Sequence, residues 1–115
     1  MKIYGKEISF AFTVGAAKEL SDLCPDKDLA RIGEASGENF SDRLAFTEDL
    51  ILILNKAYCA IKTIEGETVA PVTREELESL SPNQLMELGA EAMSAFQKDS
   101  EGEIDVEGKK DQGVD

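Results

Sequence analysis

The chain has 115 residues and a formal net charge of −12 at pH 7, from 12 basic and 24 acidic side chains. This length is enough for one small domain. The acidity argues against a nucleic-acid partner, because binding to a phosphate backbone needs clustered Lys and Arg, and no basic cluster is larger than Lys109-Lys110.

Residues 2–12 predict a β-hairpin. Ile8, Phe10 and Phe12 alternate along one face, which is typical of a half-buried strand. Gly5-Lys6 is expected to form the tight turn, with the glycine supplying a positive φ. Because a two-stranded hairpin is only marginally stable alone, we expect Phe10 and Phe12 to pack on the central helix.

Two helices are predicted before the central one. Thr13 is placed to cap the first, which spans residues 14–23 and ends at Pro25. Asp26 is expected to cap a short second helix. The following loop, GEASGENFS, is rich in turn-forming residues, and Phe40 is expected to anchor it against the core.

The helix predicted over residues 47–64 is the centre of the domain. The five consecutive apolar residues 50–54 go all the way round a helix, so little of this segment can face water. Thr47 is the predicted N-cap. The stretch is interrupted at Asn55-Lys56 and is shorter than the ~20 apolar residues that a bilayer requires, so we expect a buried core helix. Whether residues 41–64 form one helix or two stays open.

Two C-terminal helices are predicted after an extended connector, residues 65–73, in which a short third strand can form. Each begins with a capping-box pattern, Thr73 with Glu76 and Ser81 with Gln84. The last helix carries an apolar face, in which the small Gly89 is expected to allow close packing. The residues predicted to contact a partner lie on this helix and serve equally well as core: Leu85, Met86, Met93 and Phe96.

The C-terminal segment, residues 99–115, differs from the rest in composition. It carries seven acidic and two basic residues and only two isolated larger apolar side chains before its last residues, so it is expected to be disordered. The fold class predicted is therefore α+β, mostly α. A single small helical domain with an N-terminal β-hairpin, residues 1–98, surrounds one buried helix, and an acidic tail follows it.

Candidate chemistry is sparse. The chain has no histidine, so the usual proton shuttle is absent and a Cys nucleophile lacks its base. There is no CxxC motif and no glycine-rich phosphate loop. Glu75-Glu76-Glu78 is interpreted as a solvated first turn rather than a metal site. We expect a protein that is not an enzyme, with no catalytic residue, no cofactor and no metal.

The expected location is the cytoplasm. The opening MKIYGKEISF has no apolar signal-peptide core, and no membrane partner is expected. In that setting Cys24 and Cys59, both among apolar neighbours, are predicted to be buried free thiols rather than a disulfide.

The order of these elements resembles the tail assembly chaperones of long-tailed bacteriophages and related prophages. The resemblance rests on the opening MKIYGKEISFAFTVGAAKEL, the central helix ending in LNKAYCAI, a GET-type connector, and an ending of TREELESL followed by QLMELGAEAMSAF. It covers roughly residues 1–98. It is a pattern of order and spacing.

The resemblance implies a role in tail morphogenesis. Such proteins coat the tape-measure protein in the bacterial cytoplasm and keep it soluble until the tail-tube protein polymerises around it and displaces them. It also implies self-association, and absence from the mature virion. A long amphipathic helix aggregates unless its apolar stripe is covered, which binding in a groove achieves.

Lys109-Lys110 bears on how the gene is translated. Proteins of the family that this chain resembles are often made in two lengths by programmed frameshifting, near the end of the short form, on A-rich slippery codons. Two Lys codons can supply such a site, so we expect this chain to be the short form. Sequencing the gene tests this expectation, and the absence of a slippery run at these codons would remove it.

Two other interpretations stay open. The chain can be a small acidic adaptor or inhibitor module that binds a basic protein partner, in which case salt should weaken its binding strongly. It can also be a structural tail-completion protein, which should be present in purified particles, whereas a chaperone should not.

Overall fold

The computed structural model describes residues 1–99. A small hairpin precedes a helical body, which confirms the mostly α class. The elements are β1 (Lys2–Ile3), β2 (Lys6–Glu7), α1 (Val14–Leu23), two short 3₁₀ segments (Pro25–Lys27 and Leu29–Glu34), α2 (Phe40–Ile64), α3 (Arg74–Glu78) and α4 (Pro82–Asp99). The predicted tail lies outside the described residues, except that α4 includes Asp99.

The hairpin is shorter than predicted. Its strands pair antiparallel, with Lys2 opposite Glu7 and Ile3 opposite Lys6. The turn is made by Tyr4 and Gly5, at φ 49° and 79°, so the expected turn at Gly5-Lys6 is wrong by one residue. A two-residue turn that follows the twist of the strands needs positive φ at both central positions, and Gly5 takes the second of them.

Residues 8–12 leave the hairpin and cross the helical body instead of extending a strand. The backbone N–H of Ala11 donates to the carbonyl of Leu54 in α2 at 3.1 Å. The ring of Phe12 packs edge-on against Phe96 of α4, with ring centroids 5.0 Å apart. The segment therefore contacts α2 through its backbone, and an aromatic pair links it to α4.

The central helix is one continuous element, α2, that begins earlier than its predicted cap. Asn39 is the N-cap, and its side chain accepts the N–H of Asp42 at 2.8 Å. The predicted cap at Thr47 is wrong, because that residue lies inside the helix and its hydroxyl donates to the carbonyl of Arg43. The predicted burial of the helix is confirmed at three fully buried residues: Leu50, Ile51 and Leu54.

Phe40 does not anchor the preceding loop. It is the first residue of α2 and is 53% exposed, so the core expectation is wrong. Its ring lies beside the guanidinium of Arg43, 5.9 Å from the ring centroid. The cap that Asn39 supplies starts the helix before it reaches the core, and Phe40 is left on the solvent side.

Local capping signals are confirmed in three of the remaining helices. The Thr13 hydroxyl accepts the N–H of Ala16 at the start of α1. Thr73 and Glu76 form a capping box at α3, and the side chains and backbone N–H groups of Ser81 and Gln84 bond reciprocally at α4.

The predicted cap at Asp26 is wrong. Asp26 has φ 57° and lies within the first 3₁₀ segment. The cap of the second segment is Asp28, whose carboxylate accepts the N–H of Ala30 at 3.1 Å. In this second segment Ile32 is buried, whereas Leu29 and Ala30 are half-buried.

Gly89 of α4 lies directly against Thr47 of α2. A Cβ placed on it would clash with Cγ2 of Thr47. An added methyl group therefore requires the two helices or Thr47 to move. The expected close packing at Gly89 is confirmed.

Gly89→Ala should lower the free energy of unfolding by about 1–2 kcal/mol. Overpacking costs about 1–3 kcal/mol and improved helix propensity offsets up to ~1 kcal/mol of that cost. Urea unfolding of the purified chain measures the change. Adding Thr47→Ser, which removes the clashing methyl group, should restore part of the loss.

Gly15→Ala is the matched control. It is also a helical glycine, but its nearest neighbour to an added Cβ, Oγ1 of Thr13, is at the ordinary contact distance of 3.9 Å. Stability should be unchanged or slightly raised. Equal stability of Gly89→Ala and Gly15→Ala would contradict a tight approach between α2 and α4.

Asn55 joins α2 to two segments that have no regular secondary structure. The residue is 2% exposed. Its Nδ2 donates to the carbonyl of Ser9 at 2.9 Å, and its Oδ1 accepts the N–H of Val72 at 2.8 Å. The thiol of Cys59, one turn further along α2, also lies 3.9 Å from that oxygen. One amide therefore satisfies backbone groups from two segments that are distant in sequence.

Asn55→Ala should lower the free energy of unfolding by about 2–6 kcal/mol, because it leaves the Val72 N–H and the Ser9 carbonyl without partners, each at about 1–3 kcal/mol. Hydrogen exchange of the Val72 amide should accelerate more than the global destabilisation explains. Asn83→Ala, at an exposed asparagine of α4, is the control and should leave both quantities nearly unchanged. Unchanged protection at Val72 would show that the bond contributes little.

Candidate functional site

A surface groove runs along one face of the central helix, and we name it the α2 groove. It has a volume of about 540 Å³. Its floor consists of four residues of α2: Asp49, Leu52, Ile53 and Lys56. These positions are spaced i, i+3, i+4 and i+7, which places them on one face of a helix. Among residues 1–99, no other helix packs over that face of α2 along the groove.

Two walls enclose this floor. One wall comes from α1 and consists of Glu19, Asp22 and Leu23. The other comes from the end of the connector and the start of α3, and consists of Pro71, Val72 and Arg74. The groove therefore has the form of a slot between two elements that pack on the same helix, with the helix as its base.

The interior of the groove is apolar. Ile53 and Val72 are buried, whereas Leu23 and Leu52 are only half-buried and retain surface that a ligand can cover. Covering such surface is favourable at roughly 25 cal/mol per Å² of apolar area. The half-buried leucines are thus where a bound partner gains most.

The rim of the groove is charged, and each cation on it is already paired. Nζ of Lys56 lies 2.7 Å from a carboxylate oxygen of Glu19, which ties α2 to the α1 wall. The guanidinium of Arg74 contacts Asp49 at 2.6 Å and Glu48 at 2.8 Å, which ties the opposite wall to α2.

Burial and Arg74 act in opposite directions on the pKa of Glu48, the buried carboxylate behind this wall. Desolvation by burial raises the pKa of Glu48, against the hydrogen bond from Arg74, and the nearby charge of Glu78 acts in the same direction as burial. The hydrogen bond to Asp49 raises the pKa of the Arg74 guanidinium, so Arg74 remains a cation. The positive charge of Arg74 is therefore balanced within the protein by two carboxylates, those of Glu48 and Asp49.

The third carboxylate of the groove, Asp22, is more open. Its side chain is largely exposed, and it pairs at 3.2 Å with Lys27, which is itself exposed and does not line the groove. Exposed pairs of this kind are weak, at about 0–1 kcal/mol, and exchange readily with a competing cation.

The four residues predicted to contact a partner are not brought together on an exposed face. Leu85 and Phe96 are 4% and 1% exposed and belong to the core, and Met93 is half-buried against it. Met86 is 39% exposed, and its sulfur lies 3.7 Å from the Thr47 hydroxyl. Of the four, Met86 is the one with substantial surface to offer a partner.

The structure also bears on the two cysteines, on metal sites and on membrane-spanning helices. Cys24 and Cys59 are free and buried, and burial raises the pKa of both thiols. Within residues 1–99, no group of three or more His, Cys, Asp or Glu side chains is placed to hold a metal ion. No helix in this same range is long and apolar enough to cross a bilayer.

The α2 groove was not predicted from the sequence. The five apolar residues 50–54 indicate a helix buried on all sides, and that pattern hides the half-buried position of Leu52. A usable signal is the i, i+7 pair of opposite charges, Asp49 and Lys56, which brackets the face that stays open.

Comparison with known proteins adds no assignment. No family model, no curated protein and no solved structure matches this chain.

Proposed function

We propose that this protein is a non-enzymatic tail assembly chaperone of a long-tailed phage or prophage. In this role it binds the tape-measure protein in the bacterial cytoplasm and keeps it soluble until the tail-tube protein assembles around it. The observation that carries the proposal is the α2 groove, an apolar slot with charged rims on a small acidic domain. The order of sequence elements, which resembles that family, supports it independently.

The groove suits the physical problem that a tape-measure protein poses. A long helical chain with an apolar stripe aggregates in water unless the stripe is covered, and a groove that accepts helix side chains covers it. A slot of about 540 Å³ engages only a short segment. Many copies bound in series would therefore be needed, and repetition along one chain raises the overall affinity.

The negative charge of the chain supports the same role. A net charge of −12 on 115 residues keeps a densely coated complex dispersed, because the coated particles repel one another. Self-association of neighbouring copies along the tape-measure chain, and translation as the short form of a frameshifted pair, remain part of the proposal.

The experiment is co-expression with the tape-measure protein encoded in the same gene neighbourhood. We expect this chain to raise the soluble fraction of the tape-measure protein several-fold and to co-purify with it in many copies. Quantitative gel densitometry and mass photometry of the purified complex give the solubility and the copy number. The chain should be absent from purified particles, whereas a structural tail-completion protein would be retained in them.

A globular acidic protein of similar size and charge is the control, because it tests whether charge alone disperses the tape-measure protein. If the tape-measure protein aggregates with this chain and with its longer form alike, the chaperone function is wrong.

The net charge favours a second candidate function, an acidic module that binds a basic protein. Capture that is lost on raising salt from low to high concentration would favour this alternative, since screening removes exposed ion pairs.

A further inference from the structure

We infer that the α2 groove binds a short amphipathic helix whose aliphatic stripe is bordered by Lys or Arg side chains. This inference rests on the proposed function, because it names the binding face and the chemistry of the segment bound there. The sequence analysis placed the partner contacts on α4. This inference places them instead in the α2 groove, on the face of α2 that points away from α4.

The shape of the groove favours a helix as its occupant. From Asp49 to Lys56 the floor rises by about 10 Å, at ~1.5 Å per residue, which is two turns of α2. A second helix lying along this floor presents side chains at i, i+3 or i+4, and i+7 over the same distance. Those side chains enter between the α1 wall and the connector wall, in the place that a further helix of a bundle would occupy.

The floor of the groove favours aliphatic anchors. Leu23 from the wall and Leu52 from the floor are half-buried, and buried Ile53 and Val72 lie beside them. Leucine-sized side chains from a partner complete the burial of these two leucines. On α4, by contrast, Met86 is the one large apolar residue that is exposed.

The rim favours basic flanks. Both cations that line the groove are engaged, Lys56 by Glu19 and Arg74 by Asp49 and Glu48. The positive charge of Arg74 is already balanced by two carboxylates, whereas a carboxylate has about four lone-pair sites and accepts a second donor. Glu19, Asp49 and Asp22 can thus each receive a Lys or Arg from the partner. An acidic helix would meet these carboxylates with no unpaired cation among the described residues that line the slot.

Synthetic peptides test this chemistry directly. Three peptides of about 14 residues, roughly four helical turns, are titrated into the full chain labelled with ¹⁵N. The first has a leucine stripe flanked by Lys, the second has the same stripe flanked by Glu, and the third has the Lys residues with the stripe scrambled. We expect the first to shift the amide signals of the floor and walls, and the other two to bind at least about tenfold more weakly.

Two substitutions locate the binding face. Leu52→Lys on the floor should weaken binding of the first peptide by about tenfold or more. Met86→Lys on α4 adds the same charge at an exposed apolar residue and is the matched control, with little expected effect. Circular dichroism and urea unfolding establish that both variants are folded. A loss of binding with Met86→Lys and none with Leu52→Lys would overturn the inference.

A second pair of variants tests the rim without touching the core. Asp22→Lys and Glu87→Lys each change the net charge equally, at exposed residues on α1 and α4. Asp22→Lys should weaken binding of the Lys-flanked peptide several-fold more than Glu87→Lys does. The effect of Glu87→Lys measures the general contribution of net charge. Equal effects would show that the attraction is diffuse and that the groove does not select basic flanks.

The same variants separate this inference from the proposed function. If wild-type protein and Leu52→Lys both keep the tape-measure protein soluble, the chaperone function stands and the groove is not its binding face. If the peptide maps to the groove but the tape-measure protein aggregates regardless, the groove chemistry stands and the chaperone function is wrong. A dimer that Leu52→Lys dissociates would identify a second copy as the occupant and overturn the inference.

Discussion

The side-chain amide of Asn55 is the interaction on which the arrangement around α2 depends. A buried backbone group without a partner costs about 1–3 kcal/mol. The segments before α1 and before α3 are part of no strand or helix, so their backbone groups need partners elsewhere in the fold. Asn55 bonds the Ser9 carbonyl on one side and the Val72 N–H on the other. By fixing Val72, it also fixes one wall of the α2 groove. Asn55, the polar residue that interrupts the apolar run, therefore positions part of the candidate site.

The opposite face of α2 is closed by α4. Thr47 and Gly89 bring these two helices close enough that no methyl group fits between them, and Leu88, Ala92 and Phe96 fill the contact. A partner that used this face would have to displace core residues, at a cost comparable to a large part of the stability of a small domain. A partner that used the groove would displace only water. Binding at the groove is thus compatible with an intact fold.

Three helix caps that depend on residues close together in sequence were predicted correctly, whereas the α2 groove, which depends on distant residues, was not predicted. The caps at Thr13, Thr73 and Ser81 were predicted correctly because donor and acceptor lie within three residues of each other. The caps proposed at Thr47 and Asp26 were wrong, because which of several polar residues starts a helix depends on where the chain enters the core. The same limit applies to the groove. An apolar run shows that a helix is buried, but which of its faces remains open depends on elements distant in sequence.

The expected affinity of the α2 groove for a helix follows from its charged rim and its shallow apolar floor. Its rim carries ion pairs, and the exposed ones each contribute about 0–1 kcal/mol and are screened by salt. Its floor offers two half-buried leucines rather than a deep cavity. A single groove of this kind would bind a helix weakly. Weak individual binding is what a displaceable coat requires, because a polymerising tube must remove each copy in turn while the remaining copies hold the rest of the chain through their combined affinity. A deep, fully apolar groove would hold its helix too tightly to be displaced. The paired charges around the α2 groove are therefore part of how the protein would release its partner, as well as how it would select it.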